Sequence, residues 1–150
     1  MNGTREGFEK LLVRRWLEAC AAVQLDPMSV NITWDIGPYP HFDKPRGYAV
    51  AVNRSNGTYH IRFAKKTLAC AMHRADGLIR HEIGHILDFL YASHDLDRWA
   101  AERGVRLPPT DERRADMIAY AIWGEPIRYD QDTVQSTRVG IYPRPEYLGL

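Results

Sequence analysis

The chain has 150 residues, of which 45% are hydrophobic and 26% are charged, and its formal net charge is +1. This length and balance predict one globular domain and exclude a fibrous or wholly disordered chain. The small net charge provides no overall field that would attract nucleic acid or an anionic membrane, so we expect neither as a partner.

The two cysteines are too few for a disulfide framework. The first ten residues, MNGTREGFEK, lack the apolar segment of a signal peptide, and no apolar run approaches the roughly 18 residues of a membrane span. These features predict a cytoplasmic protein. Six basic residues fall in one region, where we expect a solvated face. They are Arg54, Arg62, Lys65, Lys66, Arg74 and Arg80.

The first half of the chain predicts one helix and a small three-stranded sheet. Apolar residues recur at helical spacing from Phe8 to Val23, and Asp26-Pro27 should end that helix. The branched and aromatic residues of MSVNITWDI predict a strand closed by Gly37-Pro38. The segments YAVAVN and TYHIRFA flank Asn56-Gly57, which favours a two-residue hairpin turn.

The second half of the chain predicts helices and then an extended tail. The predicted helices are Thr67 to His73, one capped by Asp76 and running to about Ala92, Asp95 to Arg103, and one opened by Pro108-Pro109-Thr110 and ended by Gly124. Residues 125–150 hold three prolines and no helical period. We expect an α+β domain over 1–124 and an extended C-terminal tail that packs on it.

The motif His81-Glu82-Ile83-Gly84-His85 lies on the second of these helices. Histidines four residues apart share a helix face, so both can bind one zinc ion at about 2.0–2.1 Å. Glu82 lies about 100° from His81, where it can reach a water on the metal and not the metal itself. Zinc lowers the pKa of that water towards 7, and Glu82 could accept its proton as a general base.

The rest of the motif helix predicts a central position in the domain. Its other faces are largely apolar: Ile79, Ile83, Ile86, Leu87 and Leu90. Gly84 costs roughly 1 kcal/mol of helix stability relative to alanine. We therefore expect another backbone to pass close to Gly84.

A later segment, Asp111-Glu112-Arg113-Arg114-Ala115-Asp116, adds an acidic pair with four-residue spacing. His-Glu-x-x-His followed by Glu-x-x-x-Asp resembles the gluzincin metallopeptidases, and the small size resembles minimal gluzincins and ImmA/IrrE-type peptidases. The resemblance covers roughly residues 8–124. It implies a zincin-like fold with one zinc per chain, Glu112 as the third ligand and Asp116 bonded to His81. Glu112 and Asp116 lie within about 40° on one helix face, which agrees with those roles.

Plainer interpretations exist for each residue of this site. The motif could be a polar face turned to solvent, and Glu112 could simply favour a helix N-terminus. Asp116 could form a surface salt bridge with Arg113 or Arg114.

Two further roles stay open. Asp88 shares the ligand face and could support a ligand or form a structural salt bridge. Tyr120 is a candidate for the hydrogen-bond donor that would stabilise an oxyanion, and Tyr91, His94 and Tyr129 are the alternatives.

These features predict a zinc metalloendopeptidase that hydrolyses peptide bonds of a protein or peptide substrate. We expect the strand at 58–64 to form an exposed edge beside the cleft, where an extended peptide could pair with it. The alternatives are a non-catalytic binding module with structural zinc and a DNA-associated protease that uses the basic cluster. The tail could cover the cleft as an inhibitor, pack elsewhere or dock on a second chain.

Overall fold

A computed structural model of the chain describes residues 4–37, 49–55, 58–65, 68, 72–109 and 111–125. The expected tail beyond Glu125, the Asn56-Gly57 turn and most of the helix expected at Thr67 to His73 lie outside these residues. The chain divides into two compact units, 1–79 and 80–150, and the division falls within one helix.

The described residues form an α+β protein, which confirms the expected class. Their helices are α1 (Arg5–Val23), α2 (Met72–Leu90), α3 (Ser93–Ala101) and α4 (Asp111–Trp123). Their strands are β1 (Asn31–Gly37), β2 (Ala49–Ser55) and β3 (Thr58–Ala64). No described helix is long and apolar enough to cross a membrane.

Helix α1 is amphipathic, as its spacing predicts. The Thr4 side chain accepts a hydrogen bond from the Gly7 N–H at 3.0 Å and so caps the first turn. The helix ends where Gln24 adopts a left-handed conformation with φ 58°. Its buried residues recur every three or four positions: Phe8, Leu12, Trp16, Ala19 and Cys20.

The strands are ordered β1-β3-β2, so β3 has a neighbour on each side. It pairs antiparallel with β2 and parallel with β1, where Ile32 lies opposite Tyr59. The expectation that strand 58–64 is an exposed edge is therefore wrong. Tyr59, Ile61 and Phe63 share one buried face. Strand β1 pairs with the backbone N–H and C=O groups of β3 that a β2–β3 hairpin alone would leave unpaired.

Asp76 does not cap a helix. Helix α2 begins four residues earlier, at Met72, so Asp76 lies inside it. Its carboxylate accepts two hydrogen bonds from Arg15, at 2.8 and 2.7 Å. The predicted start of α2 was wrong because the Asp76 carboxylate accepts its hydrogen bonds from Arg15 and not from the backbone N–H groups of a helix end.

In the second unit, glycines mark the helix ends. Gly104 (φ 75°) follows α3, and Gly124 (φ 70°) follows α4 and donates its N–H to the Tyr120 carbonyl at 2.8 Å. These are the stops that the sequence predicts, although α3 begins at Ser93 instead of Asp95. Arg80 is buried, so it does not belong to a solvated basic face.

Arg114 joins three segments of the second unit. Its Nε donates to Asp88 on α2 at 2.7 Å, and its Nη1 donates to Asp97 on α3 at the same distance. Its Nη2 donates to the Ser93 carbonyl at 3.2 Å. The buried guanidinium therefore anchors α4, the helix that carries Glu112 and Asp116.

Candidate metal site

The two motif histidines lie with their Nε2 atoms close together. His81 and His85 are both buried on α2, and their Nε2 atoms lie 3.1 Å apart. The rings meet edge to face with centroids 4.6 Å apart. Their burial argues against the plainer interpretation of a polar face turned to solvent, because buried imidazoles require polar partners.

Helix α4 reaches these histidines because its backbone passes close to Gly84. A Cβ atom built on Gly84 would overlap the Ala115 carbonyl oxygen and lie 2.9 Å from the carbonyl carbon. Only glycine leaves room for this approach, as the sequence predicts. Glu112 and Asp116 flank Ala115 on α4 and face the motif.

Glu112 completes a cluster with the two histidines. Its Oε2 lies 2.8 Å from His81 Nε2, and its Oε1 lies 3.3 Å from His85 Nε2. These hydrogen bonds hold the pKa of the Glu112 carboxyl well below its usual range, so it is a carboxylate at neutral pH. The side chain is 61% exposed, which leaves the cluster open on the α4 side.

The three residues could hold a metal ion. One donor atom from each of His81, His85 and Glu112 can be chosen so that all three lie within 4.8 Å of one another. Two imidazoles and a carboxylate are donors that transition metals accept. Among the residues that the structure describes, these three are the potential metal ligands that lie close enough together to share one ion.

Asp116 holds His81 from the other side of the ring. The aspartate is fully buried, and its Oδ1 accepts a hydrogen bond from His81 Nδ1 at 2.6 Å. Burial lowers the pKa of His81, but the Asp116 charge and the bonds to Asp116 and Glu112 outweigh it and raise that pKa well above its usual value. Burial raises the pKa of Asp116 as well. Because Nδ1 keeps its proton against Asp116, a metal would take the place of the proton on Nε2.

Glu82 lies beside this cluster without belonging to it. The side chain is only 3% exposed, and its Oε2 has no hydrogen-bond partner among the residues that the structure describes. Burial raises the pKa of its carboxyl above the usual value. A buried acid with an unsatisfied oxygen is costly, so it requires a functional reason or a partner that comes from solution.

The remaining candidates have other described contacts or lie outside the described residues. Asp88 makes the ion pair with Arg114 described above. Tyr120 is half-buried and packs against Val105 and Met117, and its part in stabilising an oxyanion stays a prediction. His94 is 76% exposed beside Asp95, and Tyr129 lies outside the described residues.

The role of Arg114 in holding α4 is one that sequence reasoning missed. The sequence suggested Arg114 only as a surface partner of Asp116. Its partners are 17 to 26 residues away, and no spacing rule connects them. The only sequence feature that could indicate this role is the pair Arg113-Arg114 between two acidic residues. That feature does not show which of the two arginines is buried.

No family model, curated protein or solved structure matches this chain. The function is therefore proposed from the fold and the geometry of the site.

Proposed function

We propose that this chain is a zinc-dependent peptidase of the gluzincin type, with His81, His85 and Glu112 as its metal ligands. Zinc at 2.0–2.1 Å from three tetrahedral donors requires donor separations of about 3.3–3.4 Å. The two imidazole nitrogens are 3.1 Å apart, and Glu112 places a different oxygen near each of them, Oε2 at 2.8 Å from His81 and Oε1 at 3.3 Å from His85. These short separations support a zinc ion after small adjustments. Three protein ligands with an open side are typical of catalytic zinc, whereas structural zinc is usually enclosed by four.

The observation that carries the proposal is Glu82. A purely structural metal site needs its ligands and the groups that orient them, and Glu82 is neither. Its buried Oε2 has no described partner, so the folded chain bears a desolvation cost there. A general base for hydrolysis accounts for this cost, and the non-catalytic binding module does not.

Each residue has a task in the hydrolysis of a peptide bond. When bound, zinc lowers the pKa of water towards 7 and polarises the carbonyl that is attacked. Glu82 accepts a proton at Oε2 as the water oxygen bonds to the carbonyl carbon. Glu82 then returns that proton to the amide nitrogen as the carbon–nitrogen bond breaks. The burial that raises the pKa of the Glu82 carboxyl makes it a stronger base, which suits the first of these steps.

The test separates metal content from hydrolysis. We expect about one zinc per purified wild-type chain by atomic emission, and none after His85→Ala. His94→Ala is the matched control, since His94 is exposed and away from the ligands, and it should keep the metal. Glu82→Gln should also keep the metal but lose at least 100-fold of the activity on an unfolded protein such as casein.

Two results would contradict the proposal. Full zinc content in His85→Ala would place the metal elsewhere on the chain. Normal turnover by Glu82→Gln would mean that Glu82 is not the base, whatever the metal content.

A further inference from the structure

The backbones of α2 and α4 approach closely where Gly84 meets Ala115. A Cβ on Gly84 would lie 2.9 Å from the Ala115 carbonyl carbon and 3.1 Å from its Cα. Ordinary carbon contacts begin near 3.5 Å. An alanine at position 84 would therefore push the helices apart by at least about 0.6 Å, because a backbone cannot turn aside as a side chain can.

This contact lies among the three proposed ligands and Asp116, which bonds to one of them. On α2, His81 comes three residues before Gly84 and His85 comes one after. On α4, Glu112 comes three residues before Ala115 and Asp116 comes one after. The separation of the two backbones at this point therefore sets the distance from each acid to its histidine, which is 2.6 Å for Asp116 and 2.8 Å for Glu112.

Metal sites tolerate little of the displacement that a side chain at position 84 would cause. Metal–ligand distances are held to about ±0.2 Å, which is smaller than the 0.6 Å shift. Glu112 is exposed and could follow its histidines by changing rotamer, but Asp116 is fully buried and cannot.

We infer that Gly84 is a positioning residue for the metal site, and that its missing side chain sets Glu112 and Asp116 against the two histidines. This rests on the metal site proposed above. The rival explanation is that Gly84 affects only the stability of the helix pair.

The test uses Gly84→Ala, with cobalt(II) as the probe because its visible spectrum reports coordination number and ligands. By helix propensity alone this variant should be more stable than wild type. We expect the reverse: a lower urea midpoint for the metal-free protein, at least 10-fold weaker cobalt binding, and a spectrum shifted towards that of Glu112→Ala. Leu87→Ala is the matched control, since it removes a buried side chain from the same helix and should lower the midpoint while keeping the cobalt affinity and spectrum.

The outcomes separate the two proposals. Cobalt binding by Gly84→Ala equal to wild type overturns the positioning role alone, and so does an equal loss of binding in Leu87→Ala. Absence of cobalt binding by wild type overturns the metal site and the positioning role together. If Gly84→Ala does not fold, Ala115→Ser adds an oxygen to a fully buried residue at the same crossing. Weakened cobalt binding by that folded variant supports the role, and unchanged binding overturns it.

Discussion

The hydrogen bond from His81 to Asp116 determines which ring nitrogen can bind a metal. A neutral imidazole carries its proton on one nitrogen and a lone pair on the other. The buried Asp116 carboxylate accepts from Nδ1 at 2.6 Å, so the proton that His81 would give up to a metal is the one on Nε2, which faces His85 and Glu112. The aspartate would therefore act on a bound metal through His81 without touching it.

We expect Asp116→Asn to weaken zinc binding by about 10- to 100-fold, because an amide accepts from Nδ1 more weakly than a carboxylate and adds no charge. Competition with a chromophoric chelator measures this. Asp88→Asn is the matched control, since Asp88 pairs with Arg114 and should affect stability and not zinc affinity. Unchanged affinity in Asp116→Asn, or an equal loss in Asp88→Asn, would show that Asp116 does not act through His81.

Spacing along the chain predicts only part of this site. The four-residue interval of His81 and His85 places both on one face of any helix, so their proximity follows from the sequence. The assignment of Glu112 rests on a resemblance, because 27 residues separate it from the motif and no local rule brings it back. Asp88 shows the limit most clearly. It shares the histidine face, yet a distant arginine decides its role.

At the scale of elements, sequence periodicity predicts which face of a helix or strand is buried. It does not predict which other element packs beside it. The alternation in β3 predicts that Tyr59, Ile61 and Phe63 are buried together, and they are. The alternation does not predict that β1 pairs with β3 in parallel, because β2 lies between these two strands in the sequence. The start of α2 was missed for a similar reason. An aspartate favours a helix cap by itself, but Asp76 is bound by Arg15, 61 residues away.

Arg114 is the residue whose loss should loosen α4 most. We expect Arg114→Met to lower the free energy of unfolding by roughly 2–3 kcal/mol. This is less than the 3–5 kcal/mol for breaking a fully buried pair, because the half-exposed Asp97 can return to water. Urea unfolding of the metal-free protein measures it.

The neighbouring Arg113 provides the control for this variant. It is only partly buried, and Arg113→Met should change the stability by no more than about 0.5 kcal/mol. Equal effects of the two substitutions would mean that the bonds from Arg114 to Asp88 and Asp97 do not hold α4 in place.

At the scale of the whole molecule, the candidate site belongs to one part of the chain. Its ligands and the groups that orient them lie between residues 81 and 116, all in the second compact unit. The first unit contributes none of these ligands among its described residues. A bound metal would stabilise the folded chain by mass action, by about 2.7 kcal/mol at a free concentration 100 times the Kd.

The tail expected at 125–150 is predicted from its composition, since all of it beyond Glu125 lies outside the described residues. It contains too many apolar residues for a freely solvated segment: Ile127, Tyr129, Val134, Ile141, Tyr142, Tyr147 and Leu148. If the tail covers part of the domain, truncation exposes an apolar surface. If it covers the cleft as an inhibitor, truncation opens the site instead.

We expect removal of residues 126–150 to lower the melting temperature and to leave the activity per bound zinc unchanged. The shortened chain keeps Glu125, which accepts a hydrogen bond from the buried Arg80 at 3.4 Å, and it keeps every proposed ligand. Exposure of one or two apolar side chains costs about 3 kcal/mol, which lowers the melting temperature by roughly 6–12 °C in a chain of this size. Calorimetry and zinc analysis of the two proteins, with casein hydrolysis alongside, measure all three quantities. Higher activity with an unchanged melting temperature would reverse this interpretation, because only an inhibitory tail gives that pair of results.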